Sequence, residues 1–168
     1  MVEPIDGLVV RPMLEEDVPF VHQLDTISFS LPWSQRSLSY EVSQNAGART
    51  WVAEIEQVMV KRIIGMMVLW LALDEAHIAT LAVYPGFRHR GIARTIMITA
   101  LNAAFHEGAR SSYLEVRAGN QAALQMYKEM GYKVVGDRSH YYHDNQEDAL
   151  LLTLERLHLF DFETGRLP

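Results

Sequence analysis

The sequence predicts a single mixed α/β (α+β) domain, with a central sheet of about six to seven strands flanked by about four helices. Three observations carry that expectation. The chain has 168 residues, 49% of them hydrophobic and 21% charged, which suits one domain with a real core and not a disordered segment. A block of strand-like segments fills residues 50–83 and ends at Pro85-Gly86. Helix-like and strand-like segments then alternate up to a last antiparallel pair, with no repeat and no low-complexity stretch.

The elements follow in order. Leu8–Met13 reads as an opening strand. Asp17–Phe29 reads as a helix, with Val18, Val21, Leu24, Asp25 and Ile27 loosely at helical spacing. Leu31-Pro32-Trp33-Ser34 breaks it, and Ser34 is placed to cap a second helix running to about Gln44. Residues 45–48 form a loop. Thr50–Glu56, Arg62–Leu73 and His77–Val83 are strands, the middle one so continuously apolar that it fits burial on both faces. Ile92–His106 carries Ile92, Ile96, Ala100, Leu101 and Ala104 on one stripe, with Gly108 as its C-cap. Tyr113–Arg117 is a strand, and Asn120 caps a helix through Met130 that stops at Gly131. Tyr132–Val135 and Ala149–Leu154 form the final antiparallel pair, joined by the polar residues 141–148. The core therefore spans about 8–155, and the tail 157–168 has no assignment.

Composition narrows the function classes. Fifteen Lys and Arg against 21 Asp and Glu give a net charge of -6, the opposite of the basic face a general nucleic-acid binder carries. The absence of cysteine removes disulfides, thiolate metal sites and a thioester acyl-enzyme. The start, MVEPID, lacks the basic and apolar regions of a signal peptide, and the longest apolar run, Ile63–Leu73, is too short for a membrane helix. A cytoplasmic protein without membrane or nucleic-acid contacts is the expectation. His140 and His143 lack a recognisable third ligand, so no metal is predicted.

Against this acidic background, Phe87–Arg94 reads FRHRGIAR. Its cations stand where a strand passes through Pro-Gly into a helix, whose first N–H groups and positive dipole end favour an anion. Gly91 lets a ligand approach the backbone. It is no Walker A loop, because Ile92 follows the glycine, and no G-x-G-x-x-G fingerprint is present. From these residues alone, a diphosphate site and a solvated basic helix start both remain open.

Arg88-x-x-Gly91-x-Ala93 resembles the R/Q-x-x-G-x-G/A signature of the GNAT N-acetyltransferase superfamily, and it follows IATLAVYP (Ile78–Pro85) as that family arranges it. LPWS (Leu31–Ser34), LEVRAGNQAALQMYKEMGY (Leu114–Tyr132) and RSHYYHDNQEDALLLTL (Arg138–Leu154) resemble the bacterial ribosomal-protein-alanine N-acetyltransferases, the RimI type. The resemblance implies acetyl-CoA as donor, its diphosphate held by Arg88, His89, Arg90, Gly91, Ile92, Ala93 and Arg94. It implies that the backbone of Leu81, Ala82 and Val83 binds the pantetheine arm and polarises the thioester carbonyl, with Asn120 also reaching the cofactor. Glu115 becomes the proton acceptor, directly or through a water, and Tyr127 the residue at the leaving group. Leu31, Pro32, Trp33, Tyr141 and Tyr142 would flank a peptide groove. The partner implied is a protein N-terminus, with Ala or Ser of a ribosomal protein as one candidate; a small amine, a lysine side chain or a silent acyl-CoA-binding module are the alternatives.

The chemistry is consistent with those assignments. An α-amino group titrates near 8 and a lysine near 10.4, so a modest base suffices for a peptide N-terminus. On pattern alone, Glu115 between Leu114 and Val116 is equally a base or a surface residue partnering Arg117. Tyr127 lies about two helical turns from Asn120, and a phenol near 10 is a weaker acid than a thiol near 8.5, which favours a hydrogen bond over full proton transfer. Asp144, Glu147 and Asp148 serve either to attract a cationic amine or as a solvated acidic hairpin. The sequence departs from the family pattern at Ala93 for the second glycine, at Leu31 where Phe matches better, at Tyr84 where an acid is common, and in the tail.

Overall fold

The computed structural model describes residues 5–57 and 60–167. The strands are β1 Leu8–Pro12, β2 Ala48–Gln57, β3 Val60–Ala72, β4 Glu75–Val83, β5 Ser111–Arg117, β6 Lys133–Tyr142 and β7 Glu147–Leu154. The helices are α1 Val18–Ser28, α2 Gln35–Ser43, α3 Ile92–His106 and α4 Gln121–Glu129. The seven strands form one sheet in the order β1-β2-β3-β4-β5-β7-β6. It is mixed, because β4 and β5 run parallel while β1–β2, β2–β3, β5–β7 and β6–β7 run antiparallel. A parallel pair needs a crossover, and α3 supplies it. Among the described residues no helix is long and apolar enough to cross a membrane.

The chain divides into two compact units, Met1–Trp70 with Thr80–Ala100, and Leu71–Ala79 with Leu101–Pro168. In the first, Ser34 caps α2 as its sequence position predicts, accepting the Ser37 N–H at 3.0 Å. Met13, Val18, Val21, Leu24, Leu38, Val52, Met66 and Ala82 form a buried cluster against which Trp33 and Tyr84 pack. Pairing shifts from Ala53↔Gly65 to Glu54↔Ile63, so Ile64 is an extra residue in β3. Its carbonyl accepts the Tyr84 N–H at 2.8 Å, just past the end of β4. A Cβ built on Gly65 would stand 2.7 Å from Ile96 Cδ1 and 3.3 Å from Ile92 Cγ2. The glycine therefore lets α3 lie close on β3.

An ion network sits in the same unit. Arg11 forks onto Asp17 at 2.7 and 3.0 Å and onto Glu54 Oε2 at 2.7 and 3.0 Å. Both carboxylates are buried. Burial alone would raise Asp17, but the Arg11 bond and the Leu14 N–H outweigh it and hold the carboxyl below its ordinary value. Glu54 is held low chiefly by the Arg11 hydrogen bond.

In the second unit the final hairpin is longer than the sequence suggests: β6 runs to Tyr142 and β7 starts at Glu147, leaving residues 143–146 as the turn. Arg117 organises it, pairing with Asp144 at 2.8 Å and Glu147 at 3.2 Å and lying 3.8 Å over the Tyr142 ring. The tail also gains an assignment, a 3-10 turn Leu157–Leu159 followed by an Asp161↔Arg166 bridge, with Leu157 and Phe160 buried.

Candidate active site

In the first unit, β4 ends at Val83, a 3-10 turn spans Pro85–Phe87, and α3 begins at Ile92. Between them His89 and Gly91 both take positive φ, 60° and 79°. A left-handed residue next to the helix start turns successive N–H groups toward one side, the arrangement that binds anions. A Cβ at Gly91 would meet no atom within 4 Å. The glycine is thus set by its φ and by open space beside it, not by packing. The first α3 bond runs from Thr95 N–H to the Gly91 carbonyl at 3.0 Å, so the preceding N–H groups lie outside the helix ladder.

Side chains divide the proposed donor residues. Ala82, Val83 and Ile92 are buried, so only their backbone is available to a ligand. Arg88, His89 and Arg90 are exposed. Arg88 Nε donates to the Val83 carbonyl at 3.0 Å, which anchors that guanidinium to the end of β4. Arg62 on β3, which sequence reading did not single out, joins the turn by lying 4.6 Å over the Tyr84 ring and 5.4 Å over Phe87. A cradle with positive φ, open space and several arginines fits a diphosphate.

In the second unit, β5 alternates: Ser112, Leu114 and Val116 are buried, while Tyr113, Glu115 and Arg117 share the other face. Glu115 does not partner Arg117. Its Oε2 bonds His77 Nε2 at 2.9 Å, and its Oε1 stands 3.7 Å from Arg138. His77 pairs with Tyr113 across the parallel ladder and stacks on its ring at 4.5 Å. The β4–β5 ladder ends at Ile78↔Leu114, while β4 continues to Val83 and β5 to Arg117.

Asn120 caps α4, its Oδ1 accepting the Ala123 N–H at 3.2 Å. Tyr127 is 7% exposed, with its ring 5.6 Å from that of Tyr132. Burial, with a smaller contribution from Tyr142, raises its phenol well above the ordinary value. Tyr141 is exposed and packs edge-on against Tyr142 at 5.2 Å, and Arg138 lies over its ring at 5.4 Å. Arg138 therefore links Glu115 to the tyrosine pair.

The remaining groove candidates lie in the first unit. Leu31 is 67% exposed, whereas Trp33 packs on the buried cluster and 6.1 Å from Trp70. Of the acidic hairpin residues, Asp144 and Glu147 engage Arg117, and Asp148 accepts the His140 N–H at 2.7 Å. Among the described residues, no three His, Asp or Glu gather to hold a metal ion.

Comparison with known proteins agrees with this construction. Residues 18–132 match the family model described as the acetyltransferase (GNAT) family. A Bacillus subtilis (strain 168) protein, named as a candidate ribosomal protein bS18-alanine N-acetyltransferase, is 33% identical over 143 residues, 85% of this chain and 92% of that protein. The ribosomal protein bS18-alanine N-acetyltransferase of Escherichia coli (strain K12) is 26% identical over 140 residues, 82% of this chain and 90% of that enzyme. The crystal structure of the NatC complex bound to Gag peptide and CoA superposes with a TM-score of 0.80 at 26% identity, covering 89% of this chain and 98% of that one. The basic turn, the mixed sheet and these relatives lead to one conclusion: the chain belongs to the GNAT acetyltransferase family and is an acetyl-CoA-dependent N-acetyltransferase of RimI-like type.

Proposed function

We propose that the chain acetylates the free α-amino group of a protein N-terminus, with an alanine or serine at the start of a ribosomal protein as the leading candidate. The observation that carries this reading is the likeness to bS18-alanine N-acetyltransferases over more than four fifths of the chain. The peptide-bound NatC neighbour supports a peptide as acceptor.

Acetyl-CoA, when bound, supplies the acetyl thioester. The backbone around Gly91, with Arg88, His89, Arg90, Ile92, Ala93 and Arg94, holds the diphosphate, and the backbone of Leu81, Ala82 and Val83 holds the pantetheine arm. Asn120 keeps its side-chain nitrogen for the cofactor while Oδ1 caps α4. Glu115 accepts the amine proton, its carboxylate oriented by His77. Leu31, Pro32, Trp33, Tyr141 and Tyr142 line the path of the peptide. Burial makes Tyr127 a poor acid, so its hydroxyl serves the departing sulfur as a hydrogen-bond donor.

Two substitutions test these roles. Gly91→Ala places an L side chain at φ 79°, a strain of about 1 kcal/mol, and is expected to weaken acetyl-CoA binding by roughly tenfold in titration calorimetry. Tyr127→Phe is expected to lower kcat by roughly tenfold, the loss of one hydrogen bond to a charged group, at unchanged acetyl-CoA affinity; wild-type turnover would remove Tyr127 from the mechanism. The reading as a whole is tested by mass spectrometry on peptides beginning with Ala, Ser or Met, N-terminally blocked lysine peptides and small amines. Modification confined to free peptide N-termini supports it; modification of small amines alone overturns it.

A further inference from the structure

The segment that carries Leu31 and Pro32 is tied down by two side chains that no role above uses. Asp25 and His22 stand three residues apart on α1, hence on one face. The Trp33 N–H donates to Asp25 Oδ2 at 2.6 Å, and His22 Nδ1 lies 2.9 Å from the Trp33 carbonyl, which makes Nδ1–H the donor. The two peptide units that flank the Trp33 Cα are thus each held, one through its N–H and the next through its carbonyl. Asp25 is fully buried, and its other oxygen, Oδ1, has no hydrogen-bond partner among the described residues. A buried acidic side chain that bonds a loop amide with only one oxygen is a costly element.

The Trp33 ring is fixed as well. It packs on the cluster that includes Leu24 and Ala82, and beside Trp70, whose indole N–H donates to Glu41 at 2.9 Å. Glu41 is in turn held by Asn45 at 2.7 Å. Two residues before this anchored tryptophan, Leu31 projects into solvent. A loop ordered before its ligand arrives spares the binding step the entropy of ordering it.

We propose that Asp25 and His22 are positioning residues that latch residues 31–34, through the backbone N–H and carbonyl of Trp33, into a preset wall of the acceptor site. The inference rests on the proposed reading of that segment as peptide-binding. Burial raises the Asp25 carboxyl and the Trp33 bond draws it back, so the latch is an energetic compromise that small changes disturb.

The test combines hydrogen exchange with steady-state kinetics on the full chain, using Asp25→Ala, Asp25→Asn, His22→Ala and His22→Asn and an alanine-first peptide. In Asp25→Ala, exchange across residues 30–34 is expected to rise by roughly tenfold and the peptide KM by a similar factor. The kcat should stay within about twofold and acetyl-CoA affinity should not change. His22→Asn, whose amide reaches the Trp33 carbonyl from the Nδ1 position, should remain near wild type while His22→Ala does not. Asp25→Asn keeps one acceptor and should fall between. If Asp25→Ala folds poorly, the two His22 variants make the same comparison. Unchanged exchange overturns the latch, as does faster exchange with an unchanged KM, or equal losses in KM, kcat and cofactor binding. A wild-type enzyme that modifies only small amines sinks the peptide reading, while the exchange comparison, which needs no substrate, still decides the latch.

Discussion

Glu115→Gln is expected to lower kcat for an alanine-first peptide by roughly a hundredfold or more near neutral pH, the usual contribution of a positioned general base. The substitution keeps the side chain's shape and an oxygen for His77 Nε2–H, which lies 2.9 Å from the carboxylate. It removes only the ability to take up a proton. Acetyl-CoA binding should therefore be untouched, since the basic turn is unaltered. The deficit carries a pH signature. An α-amino group titrates near 8, so above that value solvent has already removed the proton that Glu115 would accept. The ratio of wild-type to variant rates should shrink as pH rises from about 6 to 9. Rates measured by mass spectrometry across that range check it, and a variant as fast as wild type near pH 7 would take Glu115 out of the reaction.

The largest expected effect on stability comes from Arg11→Ala, at about 3 kcal/mol. Asp17 and Glu54 are only 5% and 6% exposed, and Arg11 donates to both. Truncation would leave two carboxylates out of water, with Lys61 at 3.5 Å as a mostly exposed partial substitute for Glu54 alone. Both carboxyls sit below their ordinary values in the folded protein. Their contribution is thus present above the unfolded values near 4 and lost as pH falls through the lower folded ones. Without Arg11 the sign reverses: burial raises both groups, and protonation relieves the folded state. Urea midpoints measured from pH 7 downward should show the gap between wild type and variant beginning to close above about pH 4, as the raised carboxyls of the variant protonate, and closing further below it. A gap that stays constant with pH would deny the network its electrostatic role.

Local signals in the chain were enough to read much of this fold. The 3.6-residue stripe of Ile92, Ile96 and Ala100 gives α3 its observed limits, and Ser34 and Asn120 sit where they cap α2 and α4. The basic turn was legible because glycine, arginines and a strand-to-helix passage lie within eight residues. Partners that meet only through folding were not. His77 and Glu115 are 38 residues apart and Arg11 and Glu54 are 43 apart, and only strand register brings each pair together. The hairpin misled for another reason: β6 is an edge strand, and its residues 136–142 mostly face water and are largely polar, so their composition does not read as strand. The tail carries Leu157 and Phe160 in a segment too short and irregular to show any period.

Gly65 has a bearing on how the polypeptide is made. Emerging from the ribosome N-terminus first, the chain can pair β1, β2 and β3 early, but the methyl groups that close over Gly65 belong to Ile92 and Ile96. At ordinary synthesis speeds those residues follow roughly 2–6 s later. During that interval the β3 face at Gly65 lacks its α3 cover, although Met66 can already pack with Val18, Val21 and Leu38. The first unit cannot be finished, because it needs Thr80–Ala100 as well as the residues up to Trp70. A chain cut between residues 70 and 91 would lack both isoleucines and leave that face of β3 without its cover for good.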